Sequence, residues 1–300
     1  MLELDEKKIR KGRPIGLPYQ GSKKKISKKI VEIIKQNFGT EKPVYDIFGG
    51  GGAITAECLI NGLEVHYNDL DRTITDMFQR VLATDREFLK TLIISRDEFF
   101  KIRDKENKTI DDELKLLVNS FRNDRNTYLY SKEFSDLKYN LAVEIIKKHD
   151  TFSGYKKTDT YKNAYRPFDI GKEDKSQVLR QFQRIQQVER VQKMSIKNLK
   201  ITNHDYTHFS YLSDAIIYLD PPYENTILEG YSIKEFDSQS FYDWAYEMSK
   251  KNIVLISSYE ISDKRFECVY EFKNARSTLS SGSYYGKRTE KLFMVKKGEK

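Results

Sequence analysis

The stretch Val44-Tyr45-Asp46-Ile47-Phe48-Gly49-Gly50-Gly51-Gly52-Ala53 decides the fold. Pro43 introduces a short apolar run, the run ends in four consecutive glycines, and a helix-compatible segment follows from Ala53. Leu63-Glu64-Val65-His66-Tyr67-Asn68-Asp69 then reads as a second strand, and the spacing predicts a helix around Thr73 to Leu82. Strand, glycine turn, helix and strand make a βαβ unit, which implies a parallel sheet.

Working outward, Ser22 to Phe38 places Ile26, Ile30, Ile33 and Ile34 at helical spacing with lysines on the other face. Towards the C-terminus, alternation returns in LKITN, AIIYLD and NIVLISSYE, with an amphipathic helix in FDSQSFYDWAYEMSKK. ECVYEF and LFMVKK read as closing antiparallel strands. Between these ends, roughly Asp85 to Lys197 is charged, aromatic and helix-compatible, with no convincing buried strand. The expected architecture is therefore a mixed α/β sheet domain, residues 1–95 plus 198–300, interrupted by a mostly helical insertion, 96–197.

The 300 residues carry 53 Lys or Arg against 45 Asp or Glu, a formal charge of +8. From Lys172 to Lys200, eight basic residues face three acidic ones. Clustered cations gain free energy by releasing counterions from a phosphate backbone, so a polyanionic partner is expected if the chemistry agrees. Cys58 and Cys268 stand far apart without metal-ligand spacing, so neither a disulfide framework nor a metal site is expected, and a reducing compartment fits. No apolar run reaches membrane-spanning length, and the charged N-terminus lacks a secretory pattern, so a cytoplasmic protein with no membrane partner is expected.

Two acids flank the glycine turn. Asp46 would lie at the C-terminal edge of its strand, where open α/β sheets bind ligands, and it suits a cationic group such as the amino group of a methionine moiety. A dinucleotide fingerprint would want a third glycine where Ile54 stands, which weakens a dehydrogenase reading. Asp69, at the end of the next strand, can accept both hydroxyls of a ribose, whereas Asp71 suits a helix N-cap.

The most specific signal is Asp220-Pro221-Pro222-Tyr223, directly after AIIYLD. Two prolines fix φ and remove two amide donors, leaving a rigid turn with a free carbonyl at Pro221. The Asp220 carboxylate and that carbonyl can accept both hydrogens of an exocyclic amine, while Tyr223 offers a face for a base to stack on. Such bonding turns the amine nitrogen towards tetrahedral geometry and frees its lone pair to attack a sulfonium methyl, a gain of orientation and electrostatics. Attack on a ring carbon would need an activated thiolate, and both cysteines read as packing residues.

These residues resemble the Dam-like (D12 class, alpha-group) adenine-N6 DNA methyltransferases. Pro18-Tyr19-Gln20-Gly21-Ser22-Lys23 resembles the family's N-terminal cofactor motif, Asp46 to Gly51 its glycine turn, and Asn68-Asp69 its ribose acid. Asn203-His204-Asp205-Tyr206 resembles its Asp-Phe/Tyr pair, and Arg276-Ser277 with Arg288-Thr289-Glu290-Lys291-Leu292 its C-terminal pattern. The resemblance implies a Rossmann-like fold, S-adenosyl-L-methionine as methyl donor with S-adenosyl-L-homocysteine as product, no metal, and flipped-out adenine in double-stranded DNA as target. It implies that Tyr19 and Lys23 touch the cofactor or organise its pocket, with Phe48, Gly49 and Gly51 forming the turn around it. Asp46 would hold the methionine end, Asp69 the ribose and Asp205 the adenine amine, with Tyr206 stacking; His204 is read as a polar strand-end residue. Tyr231 and Phe236, in the loop after the tetrapeptide, are candidates to close over the base or to serve the core.

Within the insertion, Arg122, Asn123 and Arg125 occupy the place where the family reads bases, through contacts to base edges or to phosphates. GATC is the family's frequent target, and the glycines expected in its recognition hairpin are absent from this stretch. The resemblance further implies a bacterial or phage-infected cell, a monomer or weak dimer, and any restriction endonuclease as a separate chain. Two other readings stay open: methyl transfer to an RNA base or a protein glutamine amide, and a non-catalytic DNA-binding relative.

Overall fold

Alternation along the strands sends successive side chains to opposite faces of the sheet, and both faces are buried. The computed structural model describes residues 1–19, 21–165, 178–224, 236–276, 289–296 and 298. Gln20, Tyr231, Ser277 and Arg288 of the sequence motifs lie outside them. Two compact units divide the chain: Met1–Ile15, Gly21–Thr75 and Met194–Lys300 form one, and Gly16–Gln20 with Asp76–Lys193 the other. The second unit thus begins earlier than the insertion expected from residue 96.

The first unit holds a seven-stranded sheet. Its strands are β1 (Val44–Asp46), β2 (Val65–Asn68), β3 (Leu199–Thr202), β4 (Ile216–Leu219), β5 (Ile253–Ser258), β6 (Phe266–Arg276) and β7 (Thr289–Val295), in the spatial order β3-β2-β1-β4-β5-β7-β6. The first five run parallel, and β7 lies antiparallel between β5 and β6. The order reverses between β1 and β4, so the carboxyl ends of these two strands form the crevice where such sheets take ligands.

One face of the sheet (Val44, Val65, Ile216, Tyr218, Leu255 and Leu292) packs on α1 (Ser27–Phe38) and α2 (Ala53–Ile60), through Ile30, Ile33, Ile34, Ile54 and Cys58. The other, with Tyr45, Ile47, Ile217, Leu219, Val254 and Ile256, packs on Phe241, Ala245 and Met248 of the helix Ser238–Ser249 and on Phe209 and Leu212. Cys58 and Cys268 are free thiols, one buried and one half-buried.

The second unit is built from helices. The helix α3 (Arg72–Leu82) begins in the first unit and ends in this one, followed by α4 (Arg86–Thr91), α5 (Arg96–Arg103), α6 (Ile110–Asn119), α7 (Lys132–His149), α8 (Asp159–Tyr165) and α9 (Arg180–Gln192). The N-termini of α4, α5 and α6 are capped by Asp85, Ser95 and a Thr109–Asp112 capping box, which satisfy backbone donors left over by the helix. Ile94, Phe99, Leu116, Tyr128 and Tyr130 form its core. No helix among the described residues, including α10 (Ser238–Ser249), is long and apolar enough to cross a membrane.

The glycine turn after β1 is shaped by one close approach. A Cβ on Gly49 would fall 2.3 Å from the Tyr67 ring and 3.0 Å from the Asn68 carbonyl oxygen. The Tyr67 ring is pinned in turn, since its hydroxyl donates to the Gly50 carbonyl at 2.8 Å, while the Gly49 N–H donates to the Asn68 carbonyl at 2.8 Å. Gly50 (φ 47°) and Gly52 (φ 70°) take the left-handed conformation that glycine adopts without steric cost. Gly49→Ala should therefore lower stability by about 1–3 kcal/mol, as overpacking of a filled interior does. Urea denaturation measures it, and an unchanged midpoint would mean the Tyr67 ring swings aside freely.

Candidate active site

Three neighbouring parallel strands end in carboxylates: β2 leads to Asp69, β1 ends in Asp46, and β4 leads to Asp220. Asp46 is 1% exposed, and its Oδ2 accepts the Thr55 N–H (3.1 Å) and the Thr55 hydroxyl (2.7 Å), tying the strand end to the first turn of α2. Asp69 accepts the Gly50 N–H at 2.8 Å and the Asp71 N–H at 2.9 Å. Asp71 caps α3, its carboxylate accepting the Thr73 N–H at 2.8 Å.

Burial, and for Asp46 and Asp69 the neighbouring charges, make these acids reluctant to ionise. Desolvation pushes Asp46 up to about 7 against neutral hydrogen bonds from Thr55, and the charges of Asp220 and Asp69 push the same way. Asp69 rises to about 6, chiefly by desolvation, with Asp71 and Asp220 adding to it. Asp220 also lies above the usual carboxylate range through burial, a shift opposed by Lys23.

Asp220 has a cationic partner. Lys23, in a short turn before α1, places its Nζ 2.8 Å from Asp220 Oδ1 and donates to the Tyr223 hydroxyl at 2.6 Å. The Tyr223 hydroxyl donates to Glu290 Oε2 at 2.8 Å, and its ring meets Tyr259 edge-on at 4.6 Å. Glu290, near the start of β7, is raised by burial and by the charge of Asp220. The structure thus sets Lys23 against the tetrapeptide's acid. Glu290 has no assigned role in the sequence reading; the available signal is an acid inside an otherwise alternating strand.

A pocket of about 200 Å³ opens beside these strand ends, lined by Ile47, Phe48, Leu70, His204, Asp205, Tyr206, Phe236 and Asp237. Phe48 and Tyr206 lie 6.2 Å apart with nearly parallel rings, and Phe236 closes on both. Phe236 therefore belongs to this pocket and to the core behind it. Asp205 spends one oxygen, Oδ1, on the Thr207 N–H and hydroxyl. The pocket floor is organised by Asn68, 1% exposed, which uses all four of its hydrogen bonds. Its amide donates to the Ile47 and His204 carbonyls at 3.0 and 2.9 Å, and its oxygen accepts from Thr202 and the His204 N–H, each at 2.9 Å.

Two candidate groups fall in the second unit. Tyr19, half-buried, sits in its short segment 16–20. Arg122, Asn123 and Arg125 occupy a tight turn closed by a bridge between Ser120 and Tyr128. All three have positive φ, 53°, 63° and 59°. The left-handed geometry that glycine would supply is thus present without glycine, held by Asp124, whose carboxylate accepts the Asn126 and Thr127 N–H groups at 2.9 Å. Arg122 is exposed, whereas Arg125 is bound to Glu113 at 2.9 Å.

The family model for D12 class N6 adenine-specific DNA methyltransferases matches residues 19–280. The chain belongs to this family. It is accordingly a methyltransferase, and membership implies S-adenosylmethionine as donor. Its sheet is that of the Rossmann-like fold expected from the sequence. Among solved structures, it is similar to a proposed methylase of Haemophilus influenzae at 9% identity, covering 95% of this chain and 93% of that one, with a TM-score of 0.34. It is also similar to a proposed methyltransferase of Escherichia coli at 10% identity, with the same coverage and a TM-score of 0.36. A search of curated proteins gave no match.

The buried acids make a prediction about pH. Asp46 binds its proton more tightly folded, at about 7, than its ordinary value of 3.8. Its contribution is then fully present below pH ~4 and is lost as pH rises through about 7, a loss on the order of a few kcal/mol. Without ligand, stability should fall between about pH 4 and pH 7, the span between the two values. Asp46→Asn should fall less steeply and exceed the parent at the alkaline end. Parallel denaturation curves for the two proteins across this range would contradict it.

Proposed function

We propose that this methyltransferase moves a methyl group from S-adenosylmethionine to N6 of an adenine in duplex DNA. The observation that carries the reading is the pairing of Asp220-Pro221-Pro222-Tyr223 at the end of β4 with Asp46 at the end of β1, on the two sides of the sheet's switch point.

The residues suit the cofactor. Asp46 and Asp69 have neutral hydrogen-bond partners among the described residues, so a ligand with an α-ammonium and a sulfonium would relieve their repulsion. The pocket between Phe48, Leu70 and Tyr206, with Asp205 and Asp237 at its edge, suits a flat base bearing an amine. The glycine turn brings bare backbone to the same edge. When bound, S-adenosylmethionine supplies an electrophilic methyl group.

The remaining work falls to the chain. Asp220 accepts an N–H of the target amine and holds its lone pair in line. As the nitrogen–carbon bond forms and the carbon–sulfur bond breaks, the nitrogen becomes cationic and must shed one proton. A buried carboxylate beside it stabilises that charge, and the raised proton affinity of Asp220 suits it to take the proton up. Tyr223 stacks on the base, repaying part of the few kcal/mol spent in extruding it from the duplex. In this proposal the second unit, with the exposed Arg122 at its turn, recognises DNA, and Arg125 serves mainly to brace that turn.

Two measurements test it. Labelled methyl should enter duplex DNA, and not RNA or protein, and Asp220→Ala should abolish transfer while cofactor affinity stays within a few fold, roughly 1 kcal/mol. Wild-type turnover in that variant, or incorporation into RNA or protein alone, would overturn the assignment. Affinity for duplex should also fall steeply with added salt, as phosphate contacts require; salt-independent binding would count against a basic docking surface.

A further inference from the structure

Lys23 occupies the position that a substrate amine needs. Its ammonium sits at hydrogen-bond distance from Asp220 Oδ1, 2.8 Å, with the Tyr223 hydroxyl at 2.6 Å and Glu290 Oε1 at 3.6 Å. The cluster is enclosed: the side chains of Lys23, Asp220 and Glu290 are 10%, 17% and 12% exposed. An amine N–H arriving at that oxygen meets a cation already donating to it, and the cation must yield. Driving Lys23 into water would leave two enclosed acids without a counter-charge, which is costly. Glu290 offers another seat, since closing 3.6 Å to hydrogen-bond length takes a movement of less than about 1 Å. The four rotatable bonds of a lysine stem and its three donors permit that step without movement of the backbone.

We propose that Lys23 is a placeholder for the target amine, released from Asp220 to Glu290 when the amine arrives, and that Glu290 is the positioning residue that makes the exchange possible. This rests on the reading of Asp220 as the amine's acceptor. The exchange keeps Asp220 paired in the free protein and keeps the number of charges in the enclosure constant as substrate enters. The alternative is that Glu290 only orients Tyr223, from whose hydroxyl it accepts at 2.8 Å. For that purpose a glutamine oxygen would accept from the hydroxyl equally well.

The test uses the full-length enzyme with a duplex substrate. Glu290→Gln preserves the acceptor for Tyr223 and removes the charge that receives Lys23. Its KM for DNA should rise on the order of tenfold, about 1.4 kcal/mol, with S-adenosylmethionine affinity within about twofold of the parent. Lys23→Met leaves no ammonium to move, so adding Glu290→Gln to it should raise KM no further. A Glu290→Gln enzyme with parental KM, or equal effects of that substitution with and without Lys23, would overturn the exchange while leaving the methyltransferase reading intact. Failure of the parent enzyme to methylate any DNA would overturn both.

Discussion

Electrostatic crowding at one sheet edge governs this protein. Parallel strands point their carboxyl ends the same way, so acids placed after β2, β1 and β4 are forced together in a partly dry environment. The charge of Asp220 raises the proton affinity of Asp46 and Asp69, Asp69 adds to that of Asp46, and hydrogen bonds from Thr55 and from backbone amides only partly offset burial. Such an edge is poorly satisfied alone and well satisfied by a cationic partner. Lys23 plays that part for Asp220. The same imbalance that lowers the fold's stability at neutral pH favours positive charge at this edge.

Much of this was legible in the residues. Alternating strands, the glycine turn and the proline pair dictate the sheet and its ligand edge, because period and backbone freedom are local properties. The family resemblance and the α/β class agree with the family match and the observed sheet. Lys23 was harder to place. It opens a run of three lysines that looks like a solvated helix face, and its partner lies about two hundred positions away. Glu290 carries no local mark of its role, since nothing in the sequence distinguishes an acid that faces a tyrosine from one that faces water. The turn holding Arg122, Asn123 and Arg125 differs from the expectation in another way. Its left-handed residues are Arg and Asn, because Asp124 imposes that geometry by hydrogen bonding and glycine is not needed.

Asn68 and Gly49 join fold to site. Asn68 cross-links the ends of β1, β2 and the segment after β3, and the missing side chain at Gly49 lets Tyr67 close over the turn. The backbone at these strand ends is therefore held by two buried side chains, Asn68 and Tyr67. Rigid support of this kind lets acids stay close together when they would otherwise spread apart.

The direction of β7 has a consequence for biosynthesis. Because it runs against its neighbours, its first residues arrive at the edge where the parallel strands finish, which brings Glu290 alongside Tyr223. The cluster thus unites Lys23 with Glu290, which is synthesised long after it. During translation, the nascent chain has the glycine turn and two strand-end acids long before the last member emerges from the ribosome. Any nascent chain stopped short of that point carries the strand-end acids without the Lys23–Glu290 and Tyr223–Glu290 contacts.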